Sequence, residues 1–179
     1  MVYFFLADGF EEVEALTPID MLRRVGVEVV TAGVGKKNIT GAHNIIVTSD
    51  ILASEVVPEK AEMIVLPGGM PGTTNLQSDA YVQNAIDVVS HNGGYLAAIC
   101  AAPMILGEKG LLRGKVATCF AGFEDKLIGA DYTGEPVCVD GKIITARSAG
   151  VALDFAFELV RVLKNDETVI SLKEKLLCR

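Results

Sequence analysis

Apolar and polar positions follow two alternating periods along this chain, and the alternation predicts its elements. Residues 2–7 form a short apolar run closed by Asp8-Gly9, the mark of a buried strand and its turn. Over residues 11–25 the spacing is helical, with Val13, Leu16, Ile19 or Asp20, and Leu22 recurring at intervals of about three to four. Gly26 closes that helix as a C-cap would. Residues 27–32 are β-rich, 33–38 form a loop, and 45–48 are a short strand. Residues 62–66 read as a further buried strand, stopped by Pro67-Gly68-Gly69. Residues 78–91 are helical, capped by Ser78 or Asp79, with Val82, Ile86 and Val89 on one face. Residues 95–99 are a strand with Cys100 at its end. Residues 101–109 are helical, with Pro103 suited to a first turn. Residues 115–119 are β-like, 136–146 make a hairpin about Asp140-Gly141, and 149–163 and 168–177 are two closing helices.

Strands spaced by helices predict an α/β fold, a mostly parallel sheet covered on both faces. Chemistry in such sheets gathers beyond the carboxyl ends of the strands. Three segments meet there: Asp8 to Glu12 with Glu14, Pro67 to Gly72, and the turn at Cys100. No repeat, linker or low-complexity stretch divides the chain, so residues 1–179 are expected to form one domain.

Composition narrows the function. Half the residues are hydrophobic and 22% are charged, enough to build a core. The net charge of -7 lacks the basic field that nucleic-acid binding needs. The N-terminus has no basic leader region, and the longest apolar run falls short of the ~18 residues of a membrane span. A cytoplasmic protein without a membrane partner is expected. The four cysteines form no CxxC pair and there are two histidines, so no metal site is expected. Gly68-Gly69-Met70-Pro71-Gly72 does not make the dinucleotide fingerprint, and no cofactor is expected.

Cys100 stands out chemically. Strand, sharp turn and helix N-terminus together project a nucleophile from the sheet edge and favour a thiolate. The bland alternative is a buried small hydrophobe. Histidine is the usual partner of a catalytic cysteine. His91 ends a helix beside Asn92-Gly93-Gly94, and His43 lies in a distant loop. A Cys-His-acid triad would need His43 from a partner subunit. Glu14 is the other candidate. It is either a dipole partner in the first helical turn or a proton donor and acceptor beside the thiol. Gly68 and Gly69 would let backbone N–H groups approach an oxyanion, or simply make a turn.

Taken together, these segments resemble the DJ-1/PfpI superfamily, in its DJ-1 and ThiJ-like branch. The matching stretches are Gly9-Phe10-Glu11-Glu12-Val13-Glu14 with Pro18-Ile19-Asp20 and Arg23-Arg24, then Val65-Leu66-Pro67-Gly68-Gly69, then Ala97-Ala98-Ile99-Cys100-Ala101-Ala102-Pro103, and Thr145-Ala146-Arg147. The resemblance implies a flavodoxin-like three-layer sandwich and a homodimer. It implies that Cys100 is an oxidation-sensitive nucleophile at an elbow and that a protonated Glu14 donates to its thiolate. It implies backbone N–H donors at Gly69 and Ala101, and it makes Arg24 an accessory candidate. Cys119 stands where relatives often carry histidine, and either pairs with an oxidised Cys100 or packs. Ser148-Ala149-Gly150-Val151 replaces the family's Gly-Pro-Gly-Thr. His43 replaces an arginine near the partner's site in a relative. The activity implied is turnover of α-oxoaldehydes such as methylglyoxal, or of their protein and nucleotide adducts. The alternative is a redox sensor or chaperone driven by oxidation of Cys100.

Overall fold

A computed structural model describes residues 1–178 of the chain. In chain order the elements are β1 (Val2–Leu6), α1 (Glu12–Arg24), β2 (Val29–Gly33), β3 (Asn38–Thr40), β4 (Ile46–Thr48), β5 (Ile51–Leu52), β6 (Met63–Leu66), α2 (Gly72–Ser78), α3 (Ala80–His91), β7 (Tyr95–Ile99), α4 (Pro103–Glu108), β8 (Val116–Ala117), β9 (Asp131–Tyr132), β10 (Val137–Asp140), β11 (Ile143–Ala146), α5 (Ala152–Leu163) and α6 (Asp166–Lys175). Seven strands make the main sheet in the order β10-β11-β7-β6-β1-β2-β5. Every neighbouring pair is parallel except β10 with β11.

The period of two in β1 explains the layering. Val2, Phe4 and Leu6 face one core with α1, α5 and α6, while Tyr3 and Phe5 face another with α2, α3 and α4. Both faces are therefore covered, which is why β1, β6 and β7 are almost continuously apolar. Each fully buried Phe or Leu in these strands contributes about 1.5–3 kcal/mol of transfer free energy.

Local signals act as their chemistry predicts. The Asp79 carboxylate accepts from the N–H groups of Tyr81 and Val82 and caps α3. Pro103 occupies the start of α4. Gly26 takes φ +70° after α1, and Gly141 takes φ +62° in the hairpin between β10 and β11.

Three expectations change. On α1 the buried residues are Glu12, Glu14, Ala15, Pro18, Ile19, Met21 and Leu22, whereas Val13 and Leu16 are 48% and 37% exposed. The apolar spacing of this helix therefore serves two surfaces, one covered and one open. The segment at 115–119 contributes only β8, which leaves the main sheet and pairs with β9. β8 instead packs along β10, where Asp140 holds the Val116 N–H at 3.0 Å and the Lys115 ammonium at 2.9 Å. Helix α2, Gly-Thr-Thr-Asn-Leu-Gln-Ser, has no apolar period and was not predicted.

Candidate active site

The sharp turn after β7 places Cys100 in the left-handed region at φ +65°. A non-glycine residue there costs on the order of 1–3 kcal/mol and persists only when its surroundings hold it. Two hydrogen bonds do so. The Cys100 N–H donates to the Ala146 carbonyl at 2.9 Å, and the Cys100 carbonyl accepts from the Phe120 N–H at 2.8 Å. The buried Ala101 and Ala102 then lead into α4. The Gly69 and Ala101 N–H groups lie toward the Cys100 sulfur and favour its anion.

Glu14 comes from the first turn of α1 and is 1% exposed. Its Oε2 accepts from the Gly68 N–H at 2.9 Å, and the carboxyl also meets the Ala149 N–H and the Cys100 thiol. Burial pushes Glu14 up to about 7, against the hydrogen bonds from Cys100, Gly68 and Ala149. Burial and the facing carboxylate push Cys100 up to about 12. The two groups titrate as a pair, and burial pushes each toward its neutral form. Burial penalises both anions, and the carboxylate has more hydrogen-bond donors to compensate it.

The loops after β1 and β6 interlock over this pair. The Glu11 N–H donates to the Gly68 carbonyl at 2.9 Å, and the Gly72 N–H to the Gly9 carbonyl at 3.2 Å. A Cβ on Gly68 would lie 2.5 Å from the Cys100 Cβ and 2.6 Å from Glu14 Oε2. Gly68→Ala should therefore lower kcat/KM by about 10²-fold, the scale of a reacting group displaced by about 1 Å. Steady-state kinetics beside an unchanged far-UV spectrum would check it.

The remaining candidates divide. Cys119 is 1% exposed, follows β8, and is pushed up to about 11 by burial and the Glu124 carboxylate. Its neighbour Phe120 supplies the bond to Cys100. Arg24 lies at the other end of α1, about 15 Å along the helix from Glu14 at 1.5 Å per residue, and pairs with Asp20 at 2.9 Å. The chain does not bring it to the site. His43 is held by its own chain to Glu12. Glu12 is 4% exposed, its Oε1 accepts the His43 N–H at 2.8 Å, and its Oε2 meets His43 Nδ1 at 3.0 Å. That hydrogen bond raises the His43 imidazole above its ordinary range. His91 ends α3 and is exposed.

Glu11, Glu12 and His43 are the one group of three metal-type donors close together among the described residues. Both Glu12 oxygens are already engaged there, so the group works as a clamp on the 41–45 loop. Sequence reasoning missed this clamp, the Ala149 N–H on Glu14, and the steric role of Gly68. Only the Gly68-Gly69 pair carried a signal that pointed to any of them. No described helix is long and apolar enough to cross a membrane.

Comparison with known proteins agrees with this geometry. The DJ-1/PfpI family model matches residues 1–162. The chain is 34% identical over 165 residues to Deglycase PYRAB04690 of Pyrococcus abyssi, covering 91% of this chain and 99% of that protein. It is 29% identical over 168 residues to Glutathione-independent glyoxalase DJR-1.2 of Caenorhabditis elegans, covering 93% and 89%. Two Arabidopsis thaliana relatives are longer, and the chain spans only 40% and 45% of their lengths. The fold superposes on the solved structure of oxidized Toxoplasma gondii DJ-1 with a TM-score of 0.94 at 34% identity, covering 98% of this chain and 97% of that one.

Proposed function

This chain belongs to the DJ-1/PfpI family, and from that premise we propose that it is a cysteine-dependent enzyme acting on α-oxoaldehydes such as methylglyoxal or on their adducts with proteins or nucleotides. One observation carries the reading: a strained, half-exposed Cys100 whose thiol faces a buried Glu14 near its pKa, with N–H groups of Gly69 and Ala101 at the sulfur. The names deglycase and glutathione-independent glyoxalase borne by two relatives support the substrate class.

The chemistry follows from the arrangement. Glu14 takes the thiol proton as sulfur attacks the aldehyde carbon, giving a hemithioacetal. The Gly69 and Ala101 N–H groups stabilise the oxyanion that forms, and Glu14 returns the thiol proton to that oxygen, which leaves its carboxylate free to act as a base again. Glu14 next moves a proton from the former aldehyde carbon to the adjacent carbon through an enediol. The product is a 2-hydroxy thioester on Cys100. Water hydrolyses it, releasing the hydroxy acid and restoring the thiol, for a net gain of one water. Incubation with methylglyoxal and chiral analysis of the lactate formed tests this. A single enantiomer made without glutathione is expected, and absence of lactate overturns it.

Assembly as a homodimer belongs to the same proposal. Val13 and Leu16 on α1 lie exposed, as do Ile45 and Ile46, whose loop is tied to α1 through Glu12. A second copy would cover this apolar strip. Leu16→Glu should convert the dimer into a folded monomer at micromolar concentration. Light scattering after gel filtration reads the mass directly.

A further inference from the structure

A cavity of about 240 Å³ opens beside the nucleophile, lined by Cys119, Phe120, Tyr132, Arg147 and Ser148 among others. Its walls are the strips that hold the reacting pair. Phe120 donates to the Cys100 carbonyl, Arg147 follows the Ala146 carbonyl that accepts the Cys100 N–H, and Ser148 precedes the Ala149 N–H on Glu14. Arg147 is the one cation in the lining. Among the described residues it makes no ion pair. Its guanidinium donates only to the Gly134 carbonyl, at a long 3.4 Å. A planar fork without a carboxylate partner suits a carboxylate ligand.

We infer that Arg147 is a specificity-determining residue of a carboxylate subsite beside Cys100, so that the preferred substrates are short oxoaldehydes with a carboxylate tail. This rests on the reading above for the reaction itself. The exposed Phe120 ring offers apolar surface to the tail, and Tyr132 and Ser148 bring hydroxyl groups. The Glu124 carboxylate, held by the Gly122 N–H at 2.8 Å, acts on Cys119 and Tyr132 from the same side. Glu124 and Arg147 already offset each other, so a monoanion meets less repulsion here than a dianionic phosphate would. The volume lies below the range of about 300–1,000 Å³ typical of drug-sized sites, so the tail is short.

Two haloacetyl reagents of nearly equal size test the subsite without any turnover. Iodoacetate carries the carboxylate and iodoacetamide does not. Their alkylation rates at Cys100, resolved by peptide mass, give a ratio that reports the local anion preference. Arg147→Met should lower this ratio by about fivefold, the scale of one partly exposed charge-assisted hydrogen bond. Lys175→Met, with the same charge change in a different cavity beside Arg24, should leave it unchanged. Arg147→Lys, which keeps the charge, should retain most of it. In the kinetic arm, Arg147→Met should raise KM for the carboxylate-tailed dioxovalerate about fivefold more than it raises KM for methylglyoxal. A ratio that changes less than about twofold in Arg147→Met overturns the subsite. A changed ratio in a protein that turns over neither aldehyde keeps the subsite and overturns the reaction.

Discussion

Cys100→Ser should abolish lactate formation from methylglyoxal, lowering kcat/KM by at least about 10⁴-fold, the scale on which loss of a covalent nucleophile acts. The effect is large because no other group in the site can form the first bond. Glu14 is buried and accepts proton density, Gly69 and Ala101 contribute only backbone N–H groups, and Cys119 is 1% exposed. A serine hydroxyl is a far weaker acid than a thiol, and Glu14 at about 7 is too weak a base to ionise it. The substitution should leave the fold intact. The two hydrogen bonds that hold residue 100 at φ +65° are made by its backbone, and serine keeps both. Chirally resolved lactate, measured beside a thermal melt, separates loss of chemistry from loss of structure. Activity equal to that of the wild type would sink the assignment of Cys100.

Glu14→Gln should lower kcat/KM by about 10³-fold, within the range for removal of a general acid–base, and should change two pH dependences. If Glu14 takes the thiol proton, its ionised form is the active one. Activity of the wild type should rise through pH 7, and the residual activity of Glu14→Gln should not. Stability moves the other way. The folded carboxyl titrates near 7 against an ordinary value of 4.5, so between these pH values the unfolded chain releases a proton that the folded chain keeps. Below 4.5 Glu14 makes no difference. As pH rises the wild type loses stability, and above 7 the loss is complete at about 3 kcal/mol. Glutamine does not titrate, so urea unfolding should show Glu14→Gln gaining on the wild type by about 2.5 kcal/mol between pH 5 and pH 8, because part of the loss is already present at pH 5. An equal difference at both pH values would mean that burial does not raise this group.

The parts of this site that sequence reveals are those whose chemistry is local. A cysteine between an apolar strand and a helix that starts with proline announces an elbow, because the turn and the helix N-terminus arise within a few residues. Glu14 is harder to read. It sits among Glu11 and Glu12, and nothing in the local pattern tells which carboxylate turns inward. The family resemblance singles out Glu14, whereas the burial of Glu12 depends on the 41–45 loop, 31 residues away at His43. The face of α1 misleads for a related reason. Apolar periodicity marks surfaces that avoid water, whether the cover comes from α5 or from outside the chain. Arg24 shares a matching motif with Ile19 and Asp20, yet helix length carries it away from the thiol. The strand order is likewise invisible locally, because parallel pairing joins residues far apart in the chain.

The margins of the main sheet constrain how the molecule can meet others. At one margin β5 offers only two residues, too short a row of open backbone groups to recruit another strand. At the other, β8 lies along β10 and is fastened there through Asp140. Neither border is a template for β-augmentation, so growth into fibrils by edge-to-edge addition is disfavoured from the native state. Self-association is thereby directed away from the margins of the main sheet and toward exposed side-chain surfaces such as Val13 and Leu16 of α1 with Ile45 and Ile46, where a two-fold contact closes on itself.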